Sequence, residues 1–175
     1  WHLTDVVGEM TFPETGRVEG FTDYYTTHTS GPPTKAALPP LEETTRRVKK
    51  AAEMFGAGMV GICELDERWV YSHNFSRKTQ QPKALDLPKN ISHVILLVLP
   101  MDYELSKTIP SALGGTTTGL GYAASLNVAT ALAQFITNLG YEAIASLNDT
   151  AQSIPMAIQA GLGEYGRNGL LITPK

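Results

Sequence analysis

The sequence predicts one mixed domain, α/β or α+β in layers, led by an extended N-terminal arm over residues 1–40. Three observations carry this reading. Helical and strand-like spacings alternate through residues 41–175, the β-branched apolar runs are short and closed by Gly or Pro, and residues 1–40 show neither pattern. A chain of 175 residues suits a single domain with its own core, for which roughly 100–200 residues are usual.

Residues 1–40 are rich in Thr, Gly and Pro, with Gly31-Pro32-Pro33 and Pro39-Pro40 as breaks, so few regular elements are expected there. Arms of this kind wrap neighbouring surfaces. From Leu41, the residues Val48, Ala51, Ala52 and Phe55 recur at helical spacing, with Thr44 or Thr45 able to cap the helix and Gly56 or Gly58 able to stop it. Met59–Cys63 reads as a strand. Glu64–Asn90 is a long excursion holding Trp69, Tyr71 and Phe75, the sort of segment that lines sites. His93–Leu99, partly β-branched and closed by Pro100, predicts a strand buried on both faces at the centre of the sheet. Ser111–Gly121 reads as a flexible Gly/Thr run feeding a helix from Tyr122 to Leu139, with Gly140 as its stop. Tyr141–Ser146 then predicts a strand, and Ser153–Ala160 a helix with Pro155 in its first turn.

Composition narrows the function. A net charge of −3, with charges of both signs interspersed, provides no basic face for nucleic acid; Arg46-Arg47-Val48-Lys49-Lys50 is the densest cluster and reads as the solvated side of a helix. It is no twin-arginine export signal, because the amphipathic Ala51–Gly56 follows in place of a long apolar stretch. Cys63 is the single cysteine, which leaves no intrachain disulfide and no all-cysteine metal site, and its apolar surroundings suit a buried strand thiol. The four histidines show no ligand spacing, so no metal ligand is expected in this chain. No apolar run reaches the roughly 18–20 residues of a membrane span. A start at Trp1 and an end at Thr173-Pro174-Lys175 suggest a piece of a longer protein.

Several residues can carry chemistry. Gly161-Leu-Gly163-Glu-Tyr-Gly166 has the spacing of a dinucleotide fingerprint, but it follows a helix where the fingerprint must follow a strand. It reads better as a helix end and a loop, in which glycines either bring the main chain close to a large flat ligand or simply make a turn. Tyr122 is either a buried aromatic or a phenol aimed into a pocket from a rigid helix. Asn148 opens an Asn-Asp-Thr turn, where an Asx side chain ordinarily bonds local backbone. Thr150, Gln152 and Ser153 can bond a ligand or cap the next helix. In Asp66–Ser72, Trp69 and Tyr71 either wall an apolar pocket or plug the core.

Taken in order, Asn148-Asp149-Thr150, Ser153-Ile154-Pro155, Ala160-Gly161-Leu162-Gly163-Glu164 and Gly166-Arg167-Asn168-Gly169-Leu170-Leu171-Ile172-Thr173 resemble the reductive dehalogenases. Asp66–Ser72 and a Tyr122 placed 26 residues before Asn148 add to the likeness, which covers about residues 41–175 and leaves 1–40 unmatched. The resemblance implies a nitroreductase-like core holding a corrinoid (cobalamin), and an enzyme that reduces cob(II)alamin to cob(I)alamin and uses it to cleave carbon–halogen bonds of small organohalides such as chlorinated ethenes. It implies Tyr122 as the proton donor, Asn148 as an amide donor beside the substrate, and Gly166, Arg167, Asn168 and Gly169 as corrinoid contacts. The family's two 4Fe–4S clusters are held by C-x-x-C-x-x-C-x-x-x-C-P runs, absent from this chain, and the arginine that tunes the tyrosine follows an FGP segment that would lie beyond Lys175. This segment alone is therefore expected to be inactive. The resemblance further implies an electron donor or membrane-anchor subunit, compatibility with a homodimer, and export by a twin-arginine signal to the outer face of the cytoplasmic membrane. Alternatives are an epoxyqueuosine reductase-like enzyme, a non-catalytic corrinoid-binding module and, by fold analogy, a flavin nitroreductase.

Overall fold

Amphipathic spacing produces the first helix where it is expected. In the computed structural model, which describes residues 31–76, 81–85, 87–148 and 150–174, helix α1 spans Leu41–Phe55. Pro40 precedes it, no side chain caps it, and Glu42 and Glu43 place negative charge at the positive end of its dipole. The expected threonine cap is replaced: the Thr44 hydroxyl donates back to the Pro39 carbonyl at 2.8 Å. Gly56 ends the helix in the left-handed region (φ 117°), which glycine enters without a Cβ penalty.

Strand β1 (Met59–Glu64) pairs antiparallel with β4 (His93–Val98), Met59 facing Val98 and Glu64 facing His93. Two short hairpins complete the described β structure, β2 (His73–Ser76) with β3 (Gln81–Ala84) and β5 (Glu164–Tyr165) with β6 (Leu171–Ile172). Every sheet among the described residues thus has two strands. The expectation of a central strand at 93–99 is corrected for the described residues: there β4 has one strand neighbour, and Val94–Val98 are half-buried.

Two helical layers cover that ribbon. Helix α2 (Tyr103–Ser106) is capped by the Asp102 carboxylate, which accepts from Leu105 N at 2.9 Å. Helix α3 (Ala112–Asn138) follows, and its C-terminal half joins α1 over one face of the ribbon. There Ala52, Ala57, Val60, Val128 and Leu132 form the buried centre, with Ile95, Leu97 and Leu99 packed against it. Gly61 and Cys63 point to the opposite face, toward helix α4 (Ser153–Gln159). A Cβ at Gly61 would lie 2.7 Å from Ala160 Cβ and from Leu162 Cγ, so the absent side chain lets the end of α4 close on the strand. The Cys63 thiol reaches the Met156 carbonyl at 3.6 Å, and burial pushes its pKa up, as suits an inert strand thiol. The result is α+β, three layers thick at the ribbon.

Two further expectations change. Ser111–Gly121 is no flexible run: Ser111 Oγ accepts from Gly114 N at 3.1 Å, and α3 begins at Ala112, so Tyr122 lies within the helix and not at its head. Residues 141–146 form no strand, because neither edge of the ribbon receives them; Tyr141 instead donates its hydroxyl to the Ala36 carbonyl at 2.9 Å. The described part of the arm, residues 31–40, has no helix or strand and is held at the C-terminal end of α3, with Ala36 N donating to Leu139 O at 2.8 Å. Residues 1–30 of the arm lie outside the described residues, as does Asp149 of the Asn-Asp-Thr turn. Among the described residues no helix is long and apolar enough to cross a membrane.

Candidate functional site

A phenol on a long helix is held in place by its backbone. Tyr122, half-buried, sits on α3 with a full turn or more of helix on either side. Gly115 and Gly119 precede it by seven and three positions and so share its side of the helix. Among the described residues a Cβ at either glycine would meet nothing within 4 Å, which leaves open ground along the helix in front of the phenol. Beyond α3 the chain reverses at Gly140, where φ is 84° and a Cβ would come within 2.8 Å of the Thr34 carbonyl oxygen. It returns through 141–147 to Asn148.

There the two residues meet. Asn148 Nδ2 donates to the Tyr122 phenol oxygen at 3.0 Å, closing the 26-residue gap between them. The bond gives the Asn148 amide nitrogen a partner 26 residues away, whereas an Asx turn would engage its Oδ1. Since the phenol oxygen accepts this bond, its own hydrogen is left to donate elsewhere.

The Asp66–Ser72 loop is tied to the segment that follows Asn148, a pairing that no sequence spacing discloses. Tyr71 N donates to Thr150 O at 3.0 Å, Gln152 N donates to Trp69 O at 2.8 Å, and Val70 bridges Ala151. Asp66 opens the 3₁₀ turn Glu67–Trp69 by accepting from Arg68 N at 3.0 Å. Its carboxylate also takes the Arg68 guanidinium and the Gln159 amide. The Arg68 side-chain bonds, then its backbone N–H, hold the Asp66 pKa far below the carboxylate range. Trp69 is half-buried, and its indole Nε1 is buried without a hydrogen-bond partner among the described residues. Arg68 lies over its ring at 5.7 Å.

The four expected corrinoid contacts form a hairpin loop. Gly166 N donates to Leu170 O at 2.8 Å and Gly169 N to Gly166 O at 3.0 Å, so between β5 and β6 Arg167, Asn168 and Gly169 form a three-residue loop closed by Gly166 and Leu170. Gly169 takes φ 81°, the left-handed last position that such loops require. Asn168 Oδ1 accepts from Leu170 N at 3.2 Å, and a Cβ at Gly166 would fall 2.7 Å from that same oxygen. Three of the four residues thus have work inside the hairpin. Arg167 is exposed and makes no ion pair or hydrogen bond among the described residues. No hydrogen bond joins this loop to Tyr122 or Asn148 there. Nor does Thr150, Gln152 or Ser153 cap α4, which begins without a side-chain cap.

A corrinoid is a large flat ring edged with amides. The open side of α3 before Tyr122, the Asn148 amide and the exposed Arg167 guanidinium fit such a group as a surface and as hydrogen-bond donors. No group of three or more His, Cys, Asp or Glu among the described residues is placed to hold a metal ion.

No protein-family model matches the chain. It is 40% identical to tetrachloroethene reductive dehalogenases of Desulfitobacterium hafniense and of Dehalobacter restrictus, over alignments of 169 residues that cover 77% of this chain and 30% of the relative. It is 32% identical to the tetrachloroethene reductive dehalogenase of Sulfurospirillum multivorans, over 158 residues covering 76% of this chain and 32% of the relative. The chain belongs to the reductive dehalogenase family. It spans about 30% of the length of the curated relatives it matches.

Proposed function

We propose that this chain is the proton-delivering part of a corrinoid- and iron–sulfur-dependent reductive dehalogenase acting on a small organohalide. The observation that carries the reading is the 3.0 Å bond from Asn148 Nδ2 to the Tyr122 oxygen. The names of the relatives point to tetrachloroethene as the first substrate to try. A bound corrinoid would supply the reducing cobalt that breaks the carbon–halogen bond.

The chain's own residues do the rest. Tyr122 donates its phenolic proton to the carbon that loses halide, from a helix that fixes its position. The Asn148 amide keeps the phenol oxygen in one place and offers a hydrogen bond to the charge that develops when the proton leaves. Trp69, on the loop tied to residues 150–152, brings an apolar ring toward the same turn and helps exclude water. Arg167, exposed on its hairpin, would help hold the corrinoid by donating hydrogen bonds to it. The reading includes a nitroreductase-like topology for the longer protein and a separate electron donor.

The test is halide release from tetrachloroethene by the full-length protein, reconstituted anaerobically with corrinoid and iron–sulfur clusters, beside Tyr122→Phe. The variant should lose at least about 100-fold in rate, the lower end for general acid catalysis, with its corrinoid content unchanged. A Tyr122→Phe protein that keeps its rate within a few-fold removes Tyr122 from the mechanism. A parent that binds corrinoid and releases no halide from any organohalide overturns the dehalogenase reading.

A further inference from the structure

Away from that site, α1 and α3 leave an apolar groove of about 260 Å³ at the surface. Met54, Phe55 and Phe135 form its floor, all three exposed, and the two phenyl rings meet edge to face with centroids 6.2 Å apart. Arg46, Arg47 and Lys50 form its rim. Glu43 alone serves both guanidiniums, each at 2.7 Å, and the Lys50–Glu53 contact is long at 3.4 Å, so the rim keeps positive charge. An apolar floor with a cationic edge fits an aromatic segment that carries carboxylates.

This chain contains one. Residues 1–30 hold Asp5, Glu9, Glu14, Glu19 and Asp23 against Arg17 alone, so their net charge is −4 and that of residues 31–175 is +1. The acidic excess of the protein is thus confined to its first 30 residues. Within them, Glu19-Gly20-Phe21-Thr22-Asp23-Tyr24-Tyr25 joins three aromatic rings to two carboxylates. The chain comes into the described structure at Gly31, packed so tightly on Thr137 that a Cβ there would collide with the Thr137 carbonyl oxygen. Thr137 is two residues along α3 from Phe135 of the groove. The six residues from Tyr25 to Gly31 can span about 20 Å when extended, enough to come back over the end of the helix.

We propose that Glu19–Tyr25 docks in the groove between α1 and α3 of its own chain, Phe21 on Met54, Phe55 and Phe135, with Glu19 and Asp23 facing Arg46, Arg47 and Lys50. The arm is then a strap that covers the apolar gap between the two helices. Its test is photocrosslinking in the full-length protein with benzoylphenylalanine in place of Phe21, the product mapped by peptide mass spectrometry. The expected product joins position 21 to the peptide containing Met54 or to that containing Phe135. Reversing the charges with Glu19→Lys and Asp23→Lys should cut its yield several-fold. Crosslinks confined to other peptides, or none within the chain, overturn the proposal. So does a product that forms only between heavy- and light-isotope copies, which would make a second molecule the occupant.

Discussion

Gly114–Gly121 in α3 and Gly161–Gly169 after α4 each hold four glycines, yet one is a helix and the other a hairpin. In the first, no glycine takes a positive φ; Ser111 starts the helix, and α3 runs on unbroken for 27 residues. In the second, Gly161 and Gly169 both occupy the left-handed region, while Gly163 and Gly166 allow the two short strands to close. Glycine count says nothing about which outcome follows. What separates them is whether the glycine is needed for its backbone angle or for its missing Cβ. The difference bears on the proposed function, because the helical run gives Tyr122 a rigid base and the hairpin turns Arg167 outward.

The largest effect on stability should come from the one glycine of the helical run that is close-packed. A Cβ at Gly114 would lie 2.7 Å from Ile109 N and 2.8 Å from Ile109 Cα, backbone atoms that cannot swing aside. Gly114→Ala is expected to cost about 1–3 kcal/mol in denaturant unfolding, as overpacking does. A neutral result would mean that the α2–α3 corner is loose, and the helical run would then owe less to packing than the comparison holds.

Next comes Gly169→Ala, which asks for a left-handed residue with a Cβ and should cost about 1–2 kcal/mol. Gly169→Asn should cost less, since asparagine tolerates that region. Equal costs for the two would show that the hairpin rests on something other than its backbone angle. Smaller and opposite in sign are Gly115→Ala and Gly119→Ala, each expected to stabilise by roughly 0.5–1 kcal/mol, because a helical glycine gives up backbone entropy and here has open space around it. If either alanine lowers halide release while raising stability, the open side of α3 is the ground on which a ligand lies.

These contrasts explain what could be read in advance. Helix α1, strand β1 and helix α4 were legible, because apolar spacing and a following Gly56 or Gly161 mark them. The start of α3 was not: Gly-Gly-Thr-Thr-Thr-Gly is poor in helix formers, and only the Ser111 cap and the packing at Gly114 hold it helical. Strands β5 and β6, two residues each, are too short to show alternation, although Asn168-Gly169 between Tyr165 and Leu171 is itself a hairpin signal. Tyr141–Ser146 has a strand's composition but no edge to join. At the site, Tyr122 and Asn148 stood out by resemblance, as a pair 26 residues apart. Their contact needed the reversal at Gly140, and the link between the Trp69 loop and residues 150–152 runs through backbone groups that every residue carries.

The smallest effect concerns charge, in which the two long helices also differ. None of the 27 residues of α3 is charged, whereas α1 carries Glu43 between Arg46 and Arg47. Side-chain hydrogen bonds from Arg46, then Arg47, lower the Glu43 pKa from 4.5 to about 2. A carboxylate whose pKa is depressed on folding stabilises fully above its unfolded pKa and stops doing so as pH falls through its folded one. The contribution of Glu43 should therefore fade between about pH 4.5 and pH 2, and only there. Because the triad is exposed, the change is small and shrinks in high salt. Amide exchange followed from pH 5 to pH 2 should show α1 losing protection relative to α3, and Glu43→Gln should abolish the difference. If Glu43→Gln leaves the relative protection of α1 as pH-dependent as before, its acid sensitivity does not arise from Glu43.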